Sequence, residues 1–204
     1  GRVWKSKSGD GIWMSLIIKP KIEPYKAPFL TLVAGASVVK ALSNLGVEAS
    51  IKWPNDIIVH NKKICGILTE LSAEMERVNY VVIGIGINIK TIDFPDEIKE
   101  KATSLYKEGY KLSRVDIVRQ FCIEFEKLYK GYILDGNKQD TLELCRKYSA
   151  IIGKQVYVIK NNKRELVKCI DINENGNLIV KEKNGEIQEI MSGEVSIRGV
   201  KGYV

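Results

Sequence analysis

The chain has 204 residues, 45% of them hydrophobic and 28% charged, with a formal net charge of +7 and a pI near 9.1. That balance is ordinary for a soluble globular protein able to bury a sizeable core, as one large domain or a domain with a small appendage. No apolar run approaches the roughly 20 residues of a membrane span, no signal-peptide pattern opens the chain, and four scattered cysteines (Cys65, Cys122, Cys145, Cys169) with His60 as the one histidine argue against a structural zinc site. Reduced thiols in a cytosol are the plain reading. The basic residues are spread along the chain and would attract phosphates, an acidic partner or nucleic acid alike; no helix shows a DNA-reading pattern.

In chain order, residues 1–6, G-R-V-W-K-S, read as the tail of a glycine- and arginine-rich loop. Residues 11–20, bounded by glycine and proline, read as a strand in which Trp13 and Met14 are core residues. Over 28–45, Leu30, Val33, Ala34, Val38, Ala41, Leu42 and Leu45 fall at helical spacing, with Gly46 as a stop, and this helix should pack across a sheet. Ala49, Ser50 and Ile51 lead to Pro54, which cannot donate to a ladder and should end the strand, presenting Lys52 and the pair Asn55-Asp56 at a strand end or turn. Ile57-Ile58-Val59, a corner His60-Asn61-Lys62-Lys63, and residues 64–68 read as a β-hairpin with a loop of three to five residues. Residues 74–79 form a polar turn into a strand over 81–89.

From 95 to 150 the chain reads as mostly helical. Ser113 is the N-cap of a helix over 115–132 whose stripe is Ile117, Phe121, Phe125, Leu128 and Tyr129; Gly136 ends it, and 140–148 make a short helix. Five short strands follow, at 155–160, 166–172, 178–183, 187–191 and 194–198, separated by Asn161-Asn162, Asn175-Gly176 and Asn184-Gly185 turns. These read as a small β-barrel. The division expected is therefore 1–150 and 151–204, an α+β chain in which a mixed β-sheet with packed helices precedes the barrel.

Cations, amides and a carboxylate collect beside buried strands between Lys52 and Lys63. That combination suits attack on a nucleotide α-phosphate, where fixed cations and amide donors offset like-charge repulsion. Lys52 and Lys63 could supply the charge, Asn55 and Asn88 could orient phosphate oxygens or hydrated magnesium, and Asp56 could hold that ion or take a proton from an attacking amine. Gly66, Gly84 and Gly86 interrupt buried strands, a cost that suggests a ligand slot. Taken alone, Lys62-Lys63 at a hairpin corner would read as solvent-facing protection of a sheet edge.

K-W-P-N-D at 52–56, K-K-I-C-G-I-L-T-E at 62–70 and I-G-I-G-I-N at 83–88, in this order and spacing, resemble the biotin protein ligases. The resemblance implies a partial class II synthetase-like catalytic domain followed by an SH3-like C-terminal barrel, with M-S-G-E-V-S-I-R at 191–198 as the closing segment. It implies formation of biotinyl-AMP from biotin and ATP with Mg2+, then transfer of biotin to a lysine of a biotin carrier protein of a carboxylase, in the cytoplasm. By the same resemblance Lys63, Lys52 and Asp56 are catalytic; Lys63, Gly66, Ile67, Gly84 and Gly86 meet biotin; and Arg2, Trp4, Lys52, Asn55, Asn88 and Arg198 meet ATP or the adenylate. Glu194 would touch carrier or nucleotide, and Asn55 and Asn88 would reach the metal through phosphates or water. A homodimer is possible in this family, and DNA binding is implied only if an upstream helix-turn-helix exists. Roughly one third of a catalytic domain is expected to lie upstream, judged by typical domain lengths. The alternatives are a truncated, non-catalytic carrier-binding module, the ligase part of a biotin-operon repressor, and a sibling lipoate ligase.

Overall fold

The structure is a computed structural model that describes residues 9–160, 163–193, 196–200 and 203–204. A first sheet is built from β1 (Gly11–Ile18), β2 (Ser50–Lys52), β3 (Asp56–Val59), β4 (Lys62–Ala73) and β5 (Val78–Asn88), antiparallel throughout in the order β1-β5-β4-β3-β2. One face is covered by α1 (Phe29–Asn44), whose residues are apolar nearly all round, as a helix enclosed on every side must be. It lies on β2, β3 and β4 and is backed by α2 (Arg114–Asp135) and α3 (Gln139–Lys147). Ser37, buried within α1, satisfies its hydroxyl by donating to the Val33 carbonyl at 2.7 Å. The expectation that no run is long and apolar enough for a membrane needs correction: residues Pro24–Asn44 pass that test by length and composition. The run is 72% buried inside the protein, where it serves as the core helix.

Ser113 caps α2 as expected, its hydroxyl accepting from the Val115 N–H at 3.2 Å, and Gly136 ends the helix in the left-handed region at φ 66°. Tyr132 takes the last buried place of the stripe in preference to Tyr129 and donates its hydroxyl to the Lys26 carbonyl at 2.8 Å. The stretch before α2 departs from its expected helicity: residues 95–112 are turns and extended chain. The reason lies in unmet ladder groups at the strand ends. Lys63 N–H donates to Lys101, Thr103 N–H to Lys63, Leu105 N–H to Asn88 and Tyr106 N–H to Ile89.

The second sheet contains β6 (Gln155–Lys160), β7 (Lys163–Ile172), β8 (Leu178–Lys181), β9 (Ile187–Ile190) and β10 (Ser196–Gly199) in the order β10-β6-β7-β8-β9. It is an open antiparallel sheet where a closed barrel was expected: β9 hairpins away from β6, so that β9 and β10 end at opposite edges with no ladder between them among the described residues. The turn between β7 and β8 joins this sheet to the first. Asn173 Oδ1 accepts from the N–H groups of Asn175 and Asn177, both at 3.0 Å, and holds the turn rigid. Gly176 then enters α1 at φ +83°, where an added Cβ would fall 2.5 Å from Leu32 and 3.2 Å from Phe29. Its carbonyl accepts from the indole N–H of buried Trp53 at 2.9 Å. Arg146 on α3 adds a 2.8 Å ion pair to Asp171 on β7.

Candidate active site

Lys52 and Asp56 are the last cross-strand pair of the β2–β3 hairpin, so the three residues Trp53-Pro54-Asn55 between them form its turn. Residues directly opposite in a ladder share a face. Asp56 is in turn opposite Gly66, Gly66 opposite Gly86, and Gly86 opposite Trp13. A single row, Lys52-Asp56-Gly66-Gly86-Trp13, therefore crosses all five strands on the face away from α1. A second row, Leu68-Gly84-Ser15, runs beside it. Together they line a cavity of about 830 Å3 with charge at one end, bare backbone in the middle and an indole at the other.

The bare middle is not required by packing at Gly84. A Cβ there would meet the Leu68 carbonyl oxygen at 3.6 Å, an ordinary contact, so the missing side chain leaves room in the cavity itself. Gly11 is different: a Cβ would sit 2.5 Å from the Trp13 indole and 2.6 Å from the Ile87 carbonyl oxygen. Trp13 leans over that glycine and reaches the cavity, 38% exposed, rather than joining the core as expected. Its neighbour Met14 also lines the cavity. Strict period-two alternation of Trp13, Ser15 and Ile17 against Ile12 was the signal that could have found the indole.

Lys63 joins the site through an irregularity. Its hairpin loop is two residues, His60 and Asn61, both left-handed at φ 46° and 63°, the backbone that matches the twist of paired strands. The expected loop of three to five residues is therefore too long, and Lys62 and Lys63 belong to β4. The ladder pairs Ile57 with Cys65 but Ile58 with Lys63, leaving Ile64 as the extra residue of a β-bulge. Continued without it, the register would set Lys63 opposite Val59, on the core face. With it, Lys63 lies opposite Ile58, on the face of Asp56, and its ammonium pairs with Asp56 Oδ1.

The second sheet completes the rim. Ser196, Ile197 and Arg198 from β10 line the cavity, and so does Tyr203 beyond it. The phenol hydroxyl of Tyr203 donates to Asp56 Oδ2. Its ring lies 3.4 Å from the Lys52 ammonium, which explains how a lysine on the cavity face comes to be 2% exposed. Three cations, Lys52, Lys63 and Arg198, thus surround one carboxylate, an excess suited to a polyanionic ligand.

The other expected residues fall as follows. Asn55 lines the cavity while its amide donates to the Ile67 carbonyl at 2.8 Å, and Ile67 N–H returns a bond to the Asn55 carbonyl at 2.9 Å. Ile67 lines the cavity from a buried position. Asn88 is not among the lining residues: it is 6% exposed and its amide donates to the Thr103 carbonyl at 3.0 Å, tying 103–105 to β5. Arg2, Trp4 and Glu194 lie outside the described residues. No group of three or more His, Cys, Asp or Glu side chains that could hold a metal ion occurs among the described residues, and the carboxylate of Asp56 already meets Lys63 and Tyr203. The donor set does not form a protein-held metal site. Cys65, beside the site in sequence, faces the core; burial pushes its thiol far above the ordinary range despite Lys63 nearby, which removes it as a nucleophile. Behind the hairpin, Glu108 accepts from Thr103 Oγ1 at 2.6 Å and meets His60 Nδ1. Burial raises the Glu108 carboxyl pKa, but those two hydrogen bonds and the charge of Lys62 outweigh it and hold the group below the usual value.

The sheet that carries this glycine-floored slot and cation cluster belongs to a known class: residues 1–88 match the model of the biotin/lipoate A/B protein ligase family. Residues 151–198 match the biotin protein ligase C-terminal domain. The chain belongs to the biotin protein ligase family. The bifunctional ligase/repressor BirA of Bacillus subtilis is 40% identical over 200 residues, 96% of this chain and 61% of its own length. A biotin–[acetyl-CoA-carboxylase] ligase of Mycobacterium tuberculosis is 32% identical over 53% of this chain and 40% of its own. The Aquifex aeolicus biotin protein ligase solved in complex with biotin and ATP superposes with a TM-score of 0.83 at 28% identity, over 98% of this chain and 82% of that one. The chain thus spans about 61% of the length of the Bacillus relatives.

Proposed function

We propose that this chain carries the reaction centre of a biotin protein ligase, which joins biotin to ATP as biotinyl-AMP and then transfers biotin to a lysine of a carrier protein. The observation that carries the reading is the row in which Lys52 and Asp56 continue into Gly66, Gly86 and Trp13. A flat, apolar ligand fits against the glycine backbone with its carboxylate directed to Lys63. One carboxylate oxygen attacks the α-phosphorus of ATP, and pyrophosphate leaves. Lys52, Lys63 and Arg198 offset the charge that builds on the phosphates. Asn55 would meet the phosphates of ATP or the magnesium bound to them, and that ion would supply further positive charge there. The carrier lysine then attacks the acyl carbon, AMP leaves, and Asp56 takes the amine proton.

Biotin-dependent exchange of labelled pyrophosphate into ATP tests this reading in the full-length protein. Exchange supported by biotin and not by lipoate is the expected result, and exchange with lipoate alone would overturn it in favour of the sibling chemistry. A second reading, transcriptional repression, draws on the Bacillus relatives, each of which is named a bifunctional ligase/repressor. Retention of biotin-operon DNA by the full-length protein only after adenylate formation would support it. The setting we propose is the cytoplasm, supported by four free cysteines, with a carboxylase carrier domain as partner and a homodimer as the assembly.

A further inference from the structure

We propose that Tyr203 is a positioning residue of this site, setting Asp56 through its hydroxyl and Lys52 through its ring; the inference rests on the ligase reading above. Asp56 offers two oxygens. Lys63 pairs with Oδ1 and the Tyr203 hydroxyl donates to Oδ2, so the carboxylate is fixed about its own plane by a strand on one side and by a residue 147 positions away on the other. The same tyrosine presents its ring face to the Lys52 ammonium at 3.4 Å. A cation withdrawn from water needs such a partner, and an aromatic face supplies it without neutralising the charge that a phosphate would meet. The chain is shaped to deliver this residue. A Cβ at Gly199 would fall 2.2 Å from the Val204 carbonyl carbon, so the Val204 backbone lies against Gly199 where no side chain could stand. A tyrosine that only filled space would not need its hydroxyl on a carboxylate.

The two contacts serve the two half-reactions separately. Asp56 must face the carrier amine in the transfer step, and Lys52 must face the nucleotide in the adenylation step. Removing the hydroxyl alone should therefore affect transfer, and removing the ring should affect ATP as well.

The test compares full-length wild type, Tyr203→Phe and Tyr203→Leu in biotin-dependent pyrophosphate exchange and in single-turnover transfer from preformed biotinyl-AMP to a carrier domain. Tyr203→Phe is expected to slow transfer about tenfold, the scale of a lost hydrogen bond to a charged group, with KM for ATP within about twofold of wild type. Tyr203→Leu should show the same loss in transfer and raise KM for ATP about thirtyfold, the scale of a desolvated cation–aromatic contact. Wild-type transfer by Tyr203→Phe would overturn the role of the hydroxyl, and equal KM values for the two variants would overturn that of the ring. Should Tyr203→Leu not fold, by circular dichroism, Tyr203→Met replaces it in the same KM comparison, and Tyr203→Phe decides the part of the hydroxyl. Biotin-dependent exchange in wild type with unimpaired transfer by Tyr203→Phe and equal KM values in the two variants removes this inference alone; wild type without exchange removes the ligase reading and this inference with it.

Discussion

The first sheet presents its part of the cavity as rows of residues locked in strand register, whereas the second reaches the same cavity with Arg198 on an edge strand and Tyr203 beyond its last strand. In the first, the spacing between Lys52, Asp56, Gly66, Gly86 and Trp13 is set by ladder hydrogen bonds on both sides of every strand but the outer two. In the second, position depends on docking, chiefly the Gly176 turn pressed onto Leu32, Phe29 and Trp53. The difference separates two tasks. Register holds the groups whose mutual distances the chemistry fixes, and docking holds groups that approach from outside.

Four substitutions would break or sharpen that contrast. Lys63→Ala removes a cation from the register-held group and should lower adenylate formation by at least about 10²-fold, as for other lost electrostatic contacts to a transition state. Near-normal pyrophosphate exchange would refute its role. Gly176→Ala attacks the docking itself: a Cβ at φ +83° meets Leu32 at 2.5 Å, and the strain and overpacking together should cost about 2 kcal/mol of stability in urea denaturation. If that variant also loses Arg198-dependent affinity for ATP while keeping biotin binding, docking and register are separable.

Gly84→Ala should leave stability unchanged, because the added methyl meets nothing closer than 3.6 Å within the protein. Biotin affinity by calorimetry should nevertheless fall about tenfold, the effect of a misplaced methyl in a close-fitting pocket. Equal affinity would show that the slot is wider than the row implies. Glu108→Gln gives the smallest effect, about 1 kcal/mol at neutral pH. The folded Glu108 carboxyl is held below its ordinary value, so its contribution is present above that value and is lost as pH falls through the lowered one. Wild type and variant should therefore converge in stability at acid pH, which unfolding curves from pH 7 down to about 3 would check.

Local signals carried much of this architecture. Ser113 and Gly136 bound α2 because capping and left-handed backbone are properties of one or two residues. The K-W-P-N-D motif could be placed at a strand end because Pro54 cannot join a ladder. What escaped depends on register or on distance along the chain. The bulge at Ile64 is invisible in an apolar run, since an isoleucine that adds a residue to a strand looks like one that continues it. The extended course of 95–112 follows from Lys63 and Asn88 needing partners, a demand made by residues far away in sequence. The motif around Asn88 suggests a phosphate ligand, while its amide donates to the Thr103 carbonyl. Tyr203 had no motif at all; its partner stands 147 residues earlier.

The extra residue at Ile64 also lets the corner and the centre of the hairpin be set independently. On the corner side Val59 pairs with Lys62 and Ile58 with Lys63; on the far side Ile57 pairs with Cys65. Removing Ile64 would join the two stretches into one unbroken ladder with Lys63 still opposite Ile58, on the face of Asp56. What such a deletion takes away is a fully buried side chain and the local twist of the bulge, so the cavity would keep its charge while the core lost an isoleucine.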